Sequence, residues 1–86
     1  MIKIKGENNN TIELEVKELN LQDRARFNNL YHKAEVSSPL DWSMIVQCCQ
    51  FATKFTDDEL NEFTDVDIIL IAKECYFKIN KKKLKK

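Results

Sequence analysis

The sequence is poor in the residues that bend and loosen a chain: it has one glycine, Gly6, and one proline, Pro39. Glycine-rich phosphate loops and flexible glycine–serine linkers are excluded by that alone, and most nucleotide-binding motifs go with them. No long hydrophobic run exists either. The longest, Ile68 to Ala72, has five residues, far below the roughly 20 that a membrane-spanning helix needs. Lys3 and Lys5 alternate with Ile2 and Ile4 from the first residue, which is not how a signal peptide begins. Histidine occurs once, at His32, and cysteine three times, at Cys48, Cys49 and Cys75. An odd, small number of cysteines without a leader reads as free thiols in a reducing cytoplasm.

What is present is enough for one small folded domain. Eighty-six residues, 43% hydrophobic and 33% charged, suit a single core and not a disordered chain. Net charge is zero, but it is unevenly spread. Residues 1–77 carry fourteen acids against eight bases, a balance of −6, while residues 78–86 carry six lysines and no acid. The expected division is a compact domain over residues 1–80 and a basic tail over residues 81–86.

MIKIK alternates apolar and charged residues, as a half-buried strand does. TIELEVKEL, residues 11–19, alternates again, with Ile12, Leu14 and Val16 on one face. GENNN between them supplies residues that tolerate positive φ, so a β-hairpin is expected. Helical signals follow. Asn20 is a cap with Asp23 at the third helical position, and Leu21, Phe27, Leu30, Tyr31 and Ala34 fall near helical spacing. SSPLDW is a stop and restart, with Ser38 as the expected cap, Pro39 in the first helical position and Asp41 in the third. The apolar pattern then runs from Leu40 to Phe55.

Thr56 and Glu59 form a capping box, with Leu60 and Phe63 directed inward. Thr64 caps a last segment, apolar on nearly every side, in which Asp67 takes the third position. Its length and its cap favour a helix; a strand over IILIA is the alternative. The fold class expected is α+β: an N-terminal hairpin followed by three to four helices packed as a small bundle.

Catalytic sets are hard to assemble from these residues. A cysteine nucleophile needs a base beside it, and His32 belongs to a different expected helix from Cys48 and Cys49. Neighbouring residues on a helix point about 100° apart, so one of these two thiols at most is expected to face the core. Four-ligand zinc chelation wants paired spacing, which a vicinal pair with a distant Cys75 does not provide. The acids of TDDELNEFTDVD lack the register and the glycine of a calcium loop, and helix-start placement accounts for them. No enzyme activity, cofactor or metal is expected.

Binding is the remaining class. Trp42 is either a core anchor or a partner-facing residue of the type enriched in binding hot spots. The lysines of the tail, Lys78, Lys81, Lys82, Lys83, Lys85 and Lys86, could release counterions from nucleic acid. The acidic body would be repelled by the same phosphates, and no aromatic follows Phe77 to stack on bases. A solvated, dipole-compensating helix end is the plainer reading, and a contact to an acidic protein the next.

The stretch KFTDDELNEFTDVDIILIAKECYFKINKK resembles the C-terminal half of small bacteriophage tail assembly chaperones. Those carry a phrase of the type L-T-D-E-E-L-x-x-L-x-x-x-D-I, and Phe55, Thr56, Asp57, Asp58, Glu59, Leu60, Phe63 and Ile68 stand in comparable places, with Phe63 where leucine is usual. The hairpin followed by a helix from Asn20 is similar to that group's layout. The asparagine- and lysine-rich composition fits an AT-rich genome. The resemblance implies a non-enzymatic role in virion assembly in the host cytoplasm, with a tape measure or tail tube protein as partner. The mechanism implied is burial of the partner's apolar helical stripe in a groove. On chemistry alone, Trp42, Ile45, Cys49 and Phe77 are the candidate contacts. Homo-oligomerisation stays open, since so apolar a final helix leaves surface to cover. Two other readings also stay open: a nucleic-acid-associated or regulatory protein using the tail, and an acidic inhibitor of a nucleic-acid-binding enzyme.

Overall fold

The computed structural model describes residues 2–37 and 41–84, with side chains described as far as Asn80 at the C-terminal end. Strands β1 (Ile2–Lys5) and β2 (Thr11–Leu14) form an antiparallel hairpin, with Ile2 opposite Leu14 and Ile4 opposite Ile12. Four helices follow: α1 (Leu21–Val36), α2 (Trp42–Ala52), α3 (Asp57–Asn61) and α4 (Asp65–Leu84). The α+β architecture is thus a hairpin set against a small helical bundle.

The hairpin turn is closed by two backbone bonds, Gly6 N–H to the Asn10 carbonyl at 2.8 Å and Asn9 N–H to the Gly6 carbonyl at 3.2 Å. Positive φ falls on Asn9, at 65°, and not on Gly6. Glycine is needed at position 6 for room: a Cβ there would lie 2.5 Å from Asn10 Oδ1 and 2.8 Å from Asp67 Oδ1. Two strands alone are marginal. This pair is stabilised by burying Ile12 and Leu14 in the core and by a bond from the Glu7 N–H to the Asp67 carboxylate, 2.6 Å long. β2 ends four residues in, earlier than the alternation over 11–19 suggests, because Leu14 is already paired with Ile2 at the start of β1. The Lys17 N–H instead donates to the Ala52 carbonyl at 2.7 Å, tying the chain to the end of α2. Val16 and Leu19 still pack against the core.

Local chemistry fixes the helix starts. Asn20 accepts from the Asp23 N–H at 2.8 Å. Asp41 is the cap of α2, accepting from the Met44 N–H at 3.2 Å, where the sequence suggested Ser38. Ser38, Pro39 and Leu40 lie outside the described residues. At α3 the Thr56–Glu59 box is complete: Glu59 N–H donates to Thr56 Oγ1 at 3.2 Å, and Thr56 N–H donates to Glu59 Oε1 at 2.9 Å. Thr64 Oγ1 accepts from the Asp67 N–H at 3.2 Å and begins α4. IILIA is helical. α2 stops at Ala52, short of Phe55, where the Thr53 hydroxyl and N–H both turn back to the Cys49 carbonyl.

The core sits where α2 lies between α1 and α4. Phe27, Tyr31 and Ala34 of α1 meet Ile45, Cys48, Cys49 and Ala52 of α2, with Ile68, Ile71, Ala72 and Cys75 of α4 closing the other side. Leu21, apolar at helical spacing, faces solvent instead. The two long helices are also joined at their polar seam: Asn28 and Asn80 exchange reciprocal side-chain bonds of 2.8 and 2.9 Å. The Tyr31 and Tyr76 rings stack there at 4.4 Å. Helix α4 runs on through Leu84, so the boundary expected at residue 80 falls inside a helix.

Candidate binding groove at Trp42

Trp42 opens α2, one residue after its Asp41 cap, and is 37% exposed. Val46 follows one turn later on the same helical face. Together with Phe63, which links α3 to α4, they line a concavity of about 340 Å³. Leu60 and Ile68, both buried, form its floor, and Asp57 and Asp65 stand in its wall. Phe63 is braced from behind by Phe55, ring edge to ring face at 5.4 Å. The Asp57 carboxylate is held by the Gln50 side-chain amide. The surrounding segment, residues 57–67, contains six acids and no base. The site is therefore a mixed trough, apolar at Trp42, Val46, Phe63 and its floor and polar at Asp57, Asn61 and Asp65.

The four candidate contacts separate into two pairs. Trp42 lies in the trough and Phe77 is 53% exposed on α4, outside it. Ile45 and Cys49 are core residues and cannot touch a partner in this fold. The expectation that only one of the vicinal thiols faces inward also fails. Cys48 and Cys49 are both fully buried, because α2 is covered on two flanks: Cys48 lies on the Tyr31 side, and the Cys49 thiol donates to the Ile68 carbonyl at 3.5 Å. Of the basic tail, Lys78 is half-buried beside Arg24 in a second, larger cleft of about 490 Å³ below the hairpin exit. That cleft mixes Lys17, Arg24 and Lys78 with Glu15 and Glu18, so it has no single chemistry to offer. The side chains of Lys81, Lys82 and Lys83 and the whole of Lys85 and Lys86 lie outside the described residues.

Burial raises the thiols. Cys48 is pushed up to about 11 and Cys49 to about 12, and Cys75 is raised further by the same cause. At neutral pH all three are protonated and weakly nucleophilic. His32 is hydrogen-bonded to the Tyr76 hydroxyl at 3.2 Å. Tyr31 is raised to about 12, mainly by burial and then by the nearby Glu35 charge. Among the described residues no three His, Cys, Asp or Glu side chains gather as a metal-ligand set, and no helix is long and apolar enough to cross a membrane.

Sequence reading found Trp42 but missed Val46 as a trough wall, although the i, i+4 spacing of the two was available. Phe63 was assigned inward, and in the fold it is only partly so: it packs on Phe55 and leaves a face to the trough. No family model matches the chain, and no curated protein or solved structure does either.

Proposed function

We propose that this chain is a non-enzymatic protein-binding module that receives an apolar helical segment of another polypeptide in the Trp42 trough. The observation that carries the reading is the aromatic itself: a tryptophan left more than a third exposed over a floor of buried Leu60 and Ile68. Tryptophan is the residue most enriched where interface energy concentrates, and a helix laid in an apolar groove is a recurrent way to use it. Protonated, buried thiols support a binding role over a catalytic one. The resemblance of residues 54–82 to small bacteriophage tail assembly chaperones supplies the setting: virion assembly in the host cytoplasm, with a tape measure or tail tube protein as client.

The test is co-expression with candidate tail proteins followed by affinity purification. A client is expected to copurify with the intact chain, and Trp42→Ala is expected to weaken it by about thirtyfold, the scale of a hot-spot residue worth about 2 kcal/mol. A client held equally well by Trp42→Ala refutes the trough as the binding site, and no client among the tail proteins refutes the assignment of the client.

A further inference from the structure

The trough and the lysine-rich end of the chain occupy opposite ends of the same helix. Asp65 opens α4 beside the trough, and Leu84 closes its described part. At 1.5 Å per residue, the twenty residues of α4 hold these ends about 28 Å apart. Held in the helix, the segment through Leu84 cannot fold back into the trough of its own molecule, yet its chemistry is the complement of that trough. Residues 78–86, KINKKKLKK, carry six positive charges and the apolar Leu84, while Ile79 packs against the chain's own core. The trough offers an aromatic and aliphatic lining within a segment bearing six acids and no base.

We propose that the trough of one molecule takes the C-terminal segment of a second copy. Leu84 enters between Trp42 and Phe63, and the tail lysines lie along Asp57, Asp65 and the neighbouring exposed Asp58 and Glu62. This rests on the reading of the trough as a helix- or peptide-binding groove and adds the identity of one occupant. Such a contact joins unlike surfaces, so each bound copy presents a free tail and a free trough, and assembly continues as an open chain or closes as a ring. Each junction neutralises a tail of +6 against a body of −6. The exposed charges at the junction make it salt-sensitive, since screening length falls from about 14 Å to about 4 Å between about 50 and 500 mM salt. When a client helix fills the trough, the tail is displaced, and self-assembly and client binding become mutually exclusive.

Trp42 is the only tryptophan in the chain, so its fluorescence reports the trough directly. The experiment uses the full chain. Sedimentation velocity at low salt is expected to show species heavier than the 10.2 kDa monomer that grow with concentration and vanish at high salt. A synthetic peptide of residues 78–86 is expected to dissolve them and shift Trp42 emission to the blue. A peptide with its lysines replaced by glutamate should do neither. Leu84→Glu should lower self-affinity about tenfold or more. A monomer at all concentrations in low salt with unmoved Trp42 emission overturns the inference, as do assemblies that survive high salt or Leu84→Glu. A client that copurifies with a chain that stays monomeric refutes this inference alone. Assemblies dissolved by the peptide in a chain that holds no tail protein refute only the assignment of the client.

Discussion

Gly6 and Asp67 are sixty-one positions apart and in contact, and each constrains the other. Alanine at position 6 would press its Cβ against Asp67 Oδ1 and Asn10 Oδ1. Gly6→Ala is expected to destabilise the fold by about 1–3 kcal/mol, read as a lower urea midpoint with an unchanged slope. Asp67→Ala removes the acceptor of the Glu7 N–H and leaves a part-buried donor unpaired, with a similar loss of about 1–3 kcal/mol. Asp67→Asn keeps an oxygen there and should lose less. The thiols give a pH signature. Burial raises Cys48 from 9.0 to about 11 and Cys49 from 9.0 to about 12. The folded chain thus holds protons that the unfolded chain gives up first. Stability from this source is complete below about pH 9 and is lost as pH rises towards 11 and 12. Equilibrium unfolding across that range should show the fall, and Cys49→Ala should make it shallower. Disulfide-exchange reagents at pH 8 should label these cysteines no faster than the fold opens.

Among the elements, α3 depends most on a single cap. It has five residues, too few to persist alone. Thr56→Ala breaks the reciprocal box and is expected to cost about 1 kcal/mol in chemical denaturation. It should also loosen Leu60 and Phe63, so the loss of client or tail affinity should exceed the loss of global stability. Three of the four helix starts, those of α1, α3 and α4, were legible because capping is local chemistry. Asn20, Thr56 and Thr64 each needed only the residue three positions on. The exception is instructive: Ser38, Pro39 and Asp41 all carry helix-start chemistry, and the chain uses Asp41. The length of β2 was not legible, because alternation over residues 11–19 reports which face is apolar and not whether a partner strand exists. Nor was the burial of both vicinal thiols, which follows from α1 and α4 covering two flanks of α2, a fact of packing that one helix's spacing cannot contain. Ile45 and Cys49 were assigned to a partner for the same reason. Apolar residues on a helix face look alike in sequence whether another helix of the same chain or of a different one covers them.

At the scale of the molecule, the class of fold was legible and the site was half legible. A lone tryptophan next to a cap marked the place. The trough needed Phe63, between α3 and α4, and Ile68 of α4 brought round from some twenty residues further on. Charge asymmetry was plain in the composition, while its geometry, negative trough and positive tail at opposite ends of a 20-residue helix, required the fold. The latch between Glu7 and Asp67 also bears on how the protein is made. A hairpin of four-residue strands has little to hold it until something lies beneath it. That support comes from a residue translated sixty positions later, and from α2 and α4, which are also synthesised after it. At about 5–20 residues per second, several seconds pass between the emergence of the hairpin and that of its anchor. The hairpin is therefore among the last parts of this chain to settle, although it is made before its anchor, and a nascent chain stalled before residue 67 should leave the hairpin open to proteases.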